Sequence, residues 1–169
     1  MLLLFLSANI FAKNNTQVLI MQLTSNAFQN NAFISQQYTC DGSDVSPPLQ
    51  WHDTPADTKS FVLIVDDPDA PHGTWDHWIL FNIPSNTNQL SENISQLPAG
   101  TKVGKNSWGK TGYGGPCPPS NIHRYFFKLY ALDTILPLKN GVSKQEIILA
   151  MKNHILSTTE LMGKYERIK

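Results

Sequence analysis

Residues 60–66 read SFVLIVD, a continuous apolar run rich in β-branched side chains. Lys59 closes it on one side and Asp67-Pro68 on the other. Such a run between breakers predicts a buried strand. A buried strand needs neighbours, and the chain supplies them. Residues 76–83 (DHWILFNI), stopped by Pro84-Ser85, predict a second strand, and residues 123–133 (HRYFFKLYALD) a long aromatic third. Residues 17–24 (QVLIMQLT) alternate well enough for another, and residues 32–38 form one more candidate. The stretch CDGSDVSPPLQW has loop chemistry, and residues 84–122 are mostly loop, rich in Asn, Ser, Gly and Pro. One helix is expected. Ser143-Lys-Gln-Glu146 is a capping box. Ile147, Ile148, Met151, Ile155 and Leu156 follow at helical spacing, with Gly141 and Gly163 as breaks. The reading is a mainly β chain with a helix packed outside, one domain over residues 13–169, and no repeat or linker.

Thirteen basic and thirteen acidic residues cancel and are well mixed. A neutral chain without a Lys/Arg cluster argues against nucleic acid or an anionic membrane as the main partner. Residues 1–12, MLLLFLSANIFA, are too short to span a bilayer as a helix, so stable membrane insertion is not expected. They fit the apolar core of a secretory signal cleaved after Ala12, which implies a periplasmic or secreted protein. A frayed hydrophobic strand in a cytoplasmic protein is the alternative. Two cysteines, Cys40 and Cys117, are compatible with one disulfide in an exported protein or with two free thiols. Paired, they would close a loop of roughly 78 residues, worth on the order of 4 kcal/mol in the chain-entropy picture.

Two stretches concentrate polar groups. The first is Asp66-Asp67-Pro68-Asp69-Ala70-Pro71-His72, followed by Trp75-Asp76-His77-Trp78; the second is YGGPCPPSNIHRY over residues 113–125. In each, a strand meets a stiff loop, a common place for binding groups. Pro68 and Pro71 preset a curve that aims the Asp67 and Asp69 carboxylates, and Pro116, Pro118 and Pro119 stiffen the second loop. Gly112, Gly114 and Gly115 allow close backbone approach, and free N–H groups there could receive an anion. Strict alternation puts Trp75, His77 and Ile79 on one face and Asp76, Trp78 and Leu80 on the other. It puts His123, Tyr125 and Phe127 together, with Arg124 opposite as a partner for Asp66, Asp67 or Asp69. Trp75, Trp78, Phe126 and Phe127 read as core. Each polar residue also has a plain structural reading: a packed histidine, or Asp69 capping a turn.

Two catalytic readings are open to these residues. Asp67, Asp69, His72, His77 and His123 could hold a hydrolytic metal, but they match no standard zinc spacing and no HExxH is present. Cys117 with His123 could be a nucleophile and base, but no nucleophile elbow supports them, and pairing with Cys40 would exclude them. The expectation is a non-enzyme with no metal and no cofactor.

DDPDAP, the His77-Trp78 pair and GPCPPSNIHRYFFKLYALD, in that order, resemble the phosphatidylethanolamine-binding protein family, in its bacterial Raf kinase inhibitor-like YbhB/YbcL branch. The resemblance runs from about Gln22 to the end and takes in YTCDGSDVSPPLQW and NHILSTTELMGKYER. It implies a large antiparallel sheet packed on a smaller one, with peripheral helices. It implies an anion pocket lined by Asp67, His77, Gly115, His123 and Tyr125, shaped by Pro118 and Pro119, with Asp69 supporting the turn. A small anionic or phospholipid-headgroup ligand is expected, donated to by neutral imidazole N–H groups, the Tyr hydroxyl and backbone amides. An ammonium on that ligand would suit Asp67. Modulation of a protein partner, inhibition of a kinase or peptidase through the surface, and a homodimer built on aromatic strands stand beside it.

Overall fold

The computed structural model describes residues 20–167. The expected signal segment and the start of the first expected strand lie outside them.

The long run folds into β3 (Ser60–Asp67), with β4 (Trp75–Pro84) on one side and β7 (His123–Leu132) on the other. Two more strands, β6 (Lys102–Val103) and β8 (Ile155–Tyr165), complete a five-stranded antiparallel sheet in the order β6-β4-β3-β7-β8. Strands β1 (Gln22–Thr24), β2 (Leu49–His52) and β5 (Gln89–Leu90) form a smaller antiparallel sheet, β1-β2-β5. Every residue of β3 is buried, because both faces of the large sheet are covered. Phe61, Leu63 and Val65 pack in one cluster with Leu23, Leu49, Trp51 and Leu90 of the small sheet. Val62 and Ile64 pack in a second cluster with Ile147 and Met151 of the helix α1 (Lys144–Met151). The expected two-sheet architecture is therefore present, and among the described residues no helix is long and apolar enough to cross a membrane.

Four local expectations are corrected. The helix opens at the expected capping box, where the Ser143 N–H donates to Glu146 Oε2 at 2.8 Å, but it ends at Met151. Ile155 and Leu156 lie in β8, which pairs along nearly its whole length with β7. Long-range pairing overrides the apparent helical spacing. Gly163 is not a break but a member of β8, where a side chain would collide with Ile34 and Phe28. Residues 32–38 are not a strand: Phe33 makes a single bridge to Lys164, and Gln36–Tyr38 is a 3-10 turn. Residues 49–51, read as loop, belong to β2, held there by Leu49 and Trp51 facing the core.

Candidate functional site

The end of β3 that carries Asp66-Asp67 is where the sheet departs from simple alternation. Val65 pairs with Trp78, yet the next residue, Asp66, pairs with Asp76. His77 is the extra residue of a β-bulge. The bulge corrects the alternating reading: His77 and Trp78 both turn toward the cluster that contains Tyr125. Trp78 is a member of that cluster, and the His77 ring meets the Tyr125 ring edge-on at 5.2 Å. Without the extra residue, His77 would follow Ile79 to the helix side.

Asp67 holds the next two positions. Its Oδ1 accepts the Asp69 N–H at 2.8 Å, closing the turn at the first proline. Its Oδ2 accepts His123 Nδ1–H at 2.7 Å, and both side chains are nearly buried. The Asp69 carboxylate takes the Arg124 N–H at 2.9 Å and its guanidinium at 2.9 and 2.7 Å. Arg124 thus straps the turn from the opposite face of β7, and its hydrogen bonds, with its charge behind them, hold the Asp69 carboxyl below the usual carboxylate range against the effect of burial. Of the three carboxylates considered, Asp69 is the one Arg124 pairs with.

His77 is fixed from the other side: its Nδ1–H donates to the Gly114 carbonyl at 2.7 Å. Burial pushes the His77 pKa down, against the pull of that carbonyl and of Asp67, so the neutral ring is favoured. The tautomer follows. With Nδ1–H spent, neutral His77 offers a lone pair at Nε2, not a proton. The expected donation from a neutral imidazole N–H is thus corrected for this residue. Tyr125 is fully buried, and its hydroxyl makes no hydrogen bond of good geometry, with the Asp67 carboxylate and the Cys117 backbone as its polar neighbours. Burial first, and then the Asp67 charge, push its pKa up, so it stays a protonated donor.

Asp67, His77 and His123 line one cavity of about 410 Å³ together with Trp75, Trp108 and Pro119. Tyr125, expected beside them, is fully buried against the His77 ring and does not line the cavity. The two tryptophans were missed as site residues. Trp75, read as core, is part of the wall, and its Nε1–H is buried without a partner. Trp108 packs edge-on against both Trp75 (5.3 Å) and His77 (5.1 Å). A large aromatic inside the glycine-rich loop SWGKTGYGG was the available signal. His72 and Cys117 also reach this cavity.

Gly115 is placed differently from the other expected ligand residues. It lines an adjoining cavity of about 300 Å³, and its N–H is already donated to Asp44 Oδ1 at 2.7 Å. A side chain there would collide with the Tyr38 carbonyl and Asp44, so the residue serves close packing of two loops. Pro118 is buried beneath the loop, and Pro119 alone of the pair faces the ligand cavity. Cys40 and Cys117 are joined as a disulfide across 77 positions, which leaves no Cys117 thiol for a nucleophile in this state. Among the described residues, no three His, Cys, Asp or Glu side chains converge on a metal position.

The family model for phosphatidylethanolamine-binding protein matches residues 24–166. A UPF0098 protein of Methanothermobacter thermautotrophicus is 49% identical over 150 residues, which span 87% of this chain and 99% of the relative. A UPF0098 protein of Aquifex aeolicus is 48% identical over 153 residues, 88% of this chain and 90% of that one. Among solved structures, the phosphatidylethanolamine-binding protein homologue CT736 of Chlamydia trachomatis superposes with a TM-score of 0.85 at 44% identity, covering 89% of this chain and 99% of the other. E. coli YbcL, described as a new member of the mammalian family, gives 0.83 at 33% identity, covering 88% and 99%. The two sheets' main strands, the strapped DPDAP turn and the HRY strand lie within the matched region, and the chain belongs to the phosphatidylethanolamine-binding protein family.

Proposed function

We propose that this chain is a non-catalytic binding protein whose Asp67–His77–His123 cavity receives a phosphate-type anion, with a phosphoethanolamine-type headgroup as the best-suited ligand. The observation that carries this reading is the pair of histidines, His77 and His123, that line one cavity together with Asp67. Both imidazoles have Nδ1 occupied, so Nε2 is the ring atom each can offer a ligand. A protonated ring donates from it; a neutral ring accepts the proton of a phosphate monoester, whose second ionisation lies near pH 6. Asp67 repels a bare dianion but attracts an ammonium, which favours a ligand carrying both charges. Trp75 and Trp108 add aromatic surface that suits an alkylammonium.

The apolar leader and the disulfide support an exported protein, periplasmic or secreted. Trp108, 44% exposed, and Ile122, 47% exposed, support a second role, modulation of a protein partner at the rim of the cavity, which is how inhibition of a kinase or peptidase would operate.

The test is Asp67→Ala with two ligands. Phosphoethanolamine affinity is expected to fall by roughly tenfold more than inorganic phosphate affinity, the scale of a charged hydrogen bond lost. Equal losses for both ligands would remove the ammonium from the proposal and leave a simple anion site.

A further inference from the structure

Pro119, in the segment 118–122, forms part of the cavity wall, and Pro118 is the one buried residue of that segment. Pro119 lines the cavity, yet no hydrogen bond involves residues 118–122 among the described residues. The segment is anchored at its two ends. One end is the start of β7, where His123 pairs with Tyr165. The other is Cys117, joined to Cys40. The loop that carries Cys40 is firmly tied. The Asp41 carboxylate accepts the Tyr165 hydroxyl at 2.9 Å and the Arg167 guanidinium at 2.7 Å, and Gln36 Nε2–H donates to the Asp41 carbonyl at 2.8 Å. The Cys40 N–H also donates to the Pro116 carbonyl at 3.1 Å, which ties the two loops just ahead of Cys117. The disulfide is therefore the last tie before residues 118–122, which have no hydrogen bond of their own. Both cysteines are exposed, and Cys117 faces the ligand cavity and the adjoining one alike.

We propose that the Cys40–Cys117 disulfide is a redox-operated wall of the ligand cavity. Oxidised, it holds the Pro119 segment against the site; reduced, it releases that segment and weakens ligand binding. This rests on the functional reading above. The reductant is a dithiol. Its thiolate attacks one sulfur of the pair, and the Cys40–Cys117 bond breaks as a mixed disulfide forms. The second thiol of the reductant then attacks that bond and leaves as part of a cyclic disulfide. Two electrons and two protons pass to the protein, which ends with two thiols, and the dithiol is oxidised to its disulfide.

The effect is confined to the wall. His77 takes its anchor from Gly114, ahead of Cys117 in the chain. That stretch keeps its own ties, Gly115 N–H to Asp44 and the Tyr113 hydroxyl to the Tyr38 carbonyl at 2.7 Å. Reduction should therefore act on affinity with the fold retained. Linkage adds a second readout: the factor by which reduction weakens binding is the factor by which bound ligand resists reduction.

The experiment titrates phosphoethanolamine into the oxidised protein, the dithiol-reduced protein and the Cys40→Ser/Cys117→Ser double variant, with circular dichroism on each. A redox titration against a dithiol couple, with and without saturating phosphoethanolamine, completes it. Expected are an affinity lower by about tenfold on reduction, within the usual range of coupling, and a double variant that matches the reduced protein and ignores dithiol. The ligand should shift the redox midpoint by the same factor. Equal affinity in oxidised and reduced wild type, with no shift of the midpoint, overturns the wall. No binding in either state overturns the functional reading, and the wall with it. Wild-type titrations decide the matter even if the double variant fails to fold.

Discussion

Asp66 and Asp67 leave β3 on opposite faces of the large sheet. On the helix side, Asp66 accepts from Lys128 at 2.8 and 2.9 Å and from Lys144 at 3.3 Å, and Lys144 also holds Asp76. Two carboxylates and two ammoniums close on one another there. On the other side, Asp67 meets His123 and the Asp69 N–H, while the Tyr125 hydroxyl and Trp75 Nε1 remain unpaired. The first group satisfies its charges internally and fastens α1 to the sheet. The second keeps open valences beside a cavity. A buried carboxylate alone does not mark a site; what its neighbours have left over does.

The largest expected effect separates the two carboxylates by what each loss does. Asp66→Ala should cost about 3 kcal/mol of stability, since removing one member of a buried ion network strands the rest. Chemical denaturation reads this, and affinity for phosphoethanolamine per folded molecule should stay within about twofold, as expected for sites on separate faces. Asp67→Ala should do the reverse, losing affinity with the smaller loss of stability. A variant of Asp66 that abolishes binding in a folded protein would break the comparison.

Next in size is a proton effect. The His77 pKa is lowered by burial, so at neutral pH the ring is unprotonated and Nε2 is an acceptor. Bound phosphate should draw a proton into the site, up to about one per ligand below pH 7, given a reference imidazole value near 6.5. Calorimetry in buffers of different ionisation enthalpy measures the uptake, and His77→Gln should remove its share. The same shift sets a stability slope. A histidine with a lowered folded pKa contributes stability above its unfolded value that is lost as pH falls below it. The wild type should therefore weaken more steeply than His77→Gln on the acid side of about pH 6.5.

How much of this was legible in the chain depends on what each residue answers to. The buried strand, the capping box, the DPDAP curve and the strapping role of Arg124 follow from local chemistry, and the structure holds all four. The site histidines were legible as residues but His77 was not legible in direction, because the bulge exists only in the pairing of β3 with β4. Ile155 and Leu156 mimic a helix face until β7 claims them as an edge strand. Gly115 looked like a free amide because its partner, Asp44, lies in a distant loop. Trp75 passed as core because alternation along a strand does not show where a cavity opens.

The smallest expected effect concerns the strap. Arg124 is half exposed, so Arg124→Ala should lower stability only slightly, and less in high salt. What Asp69 gains from Arg124 is present above the ordinary carboxylate pKa and is lost as pH falls through the lowered folded value. Thermal melts of wild type and variant, taken from neutral pH to successively lower pH, should therefore converge at the acid end. A loss of binding as large as that of Asp67→Ala would mean that the strap does more than hold the turn.

The most direct test of the central claim is a calorimetric titration of wild type and His123→Ala with phosphoethanolamine, with inorganic phosphate as control. Saturable binding to the wild type that is lost in a folded His123→Ala protein is the predicted result. No heat at millimolar ligand, or equal binding by both proteins, would contradict the assignment of the Asp67–His77–His123 cavity as the ligand site.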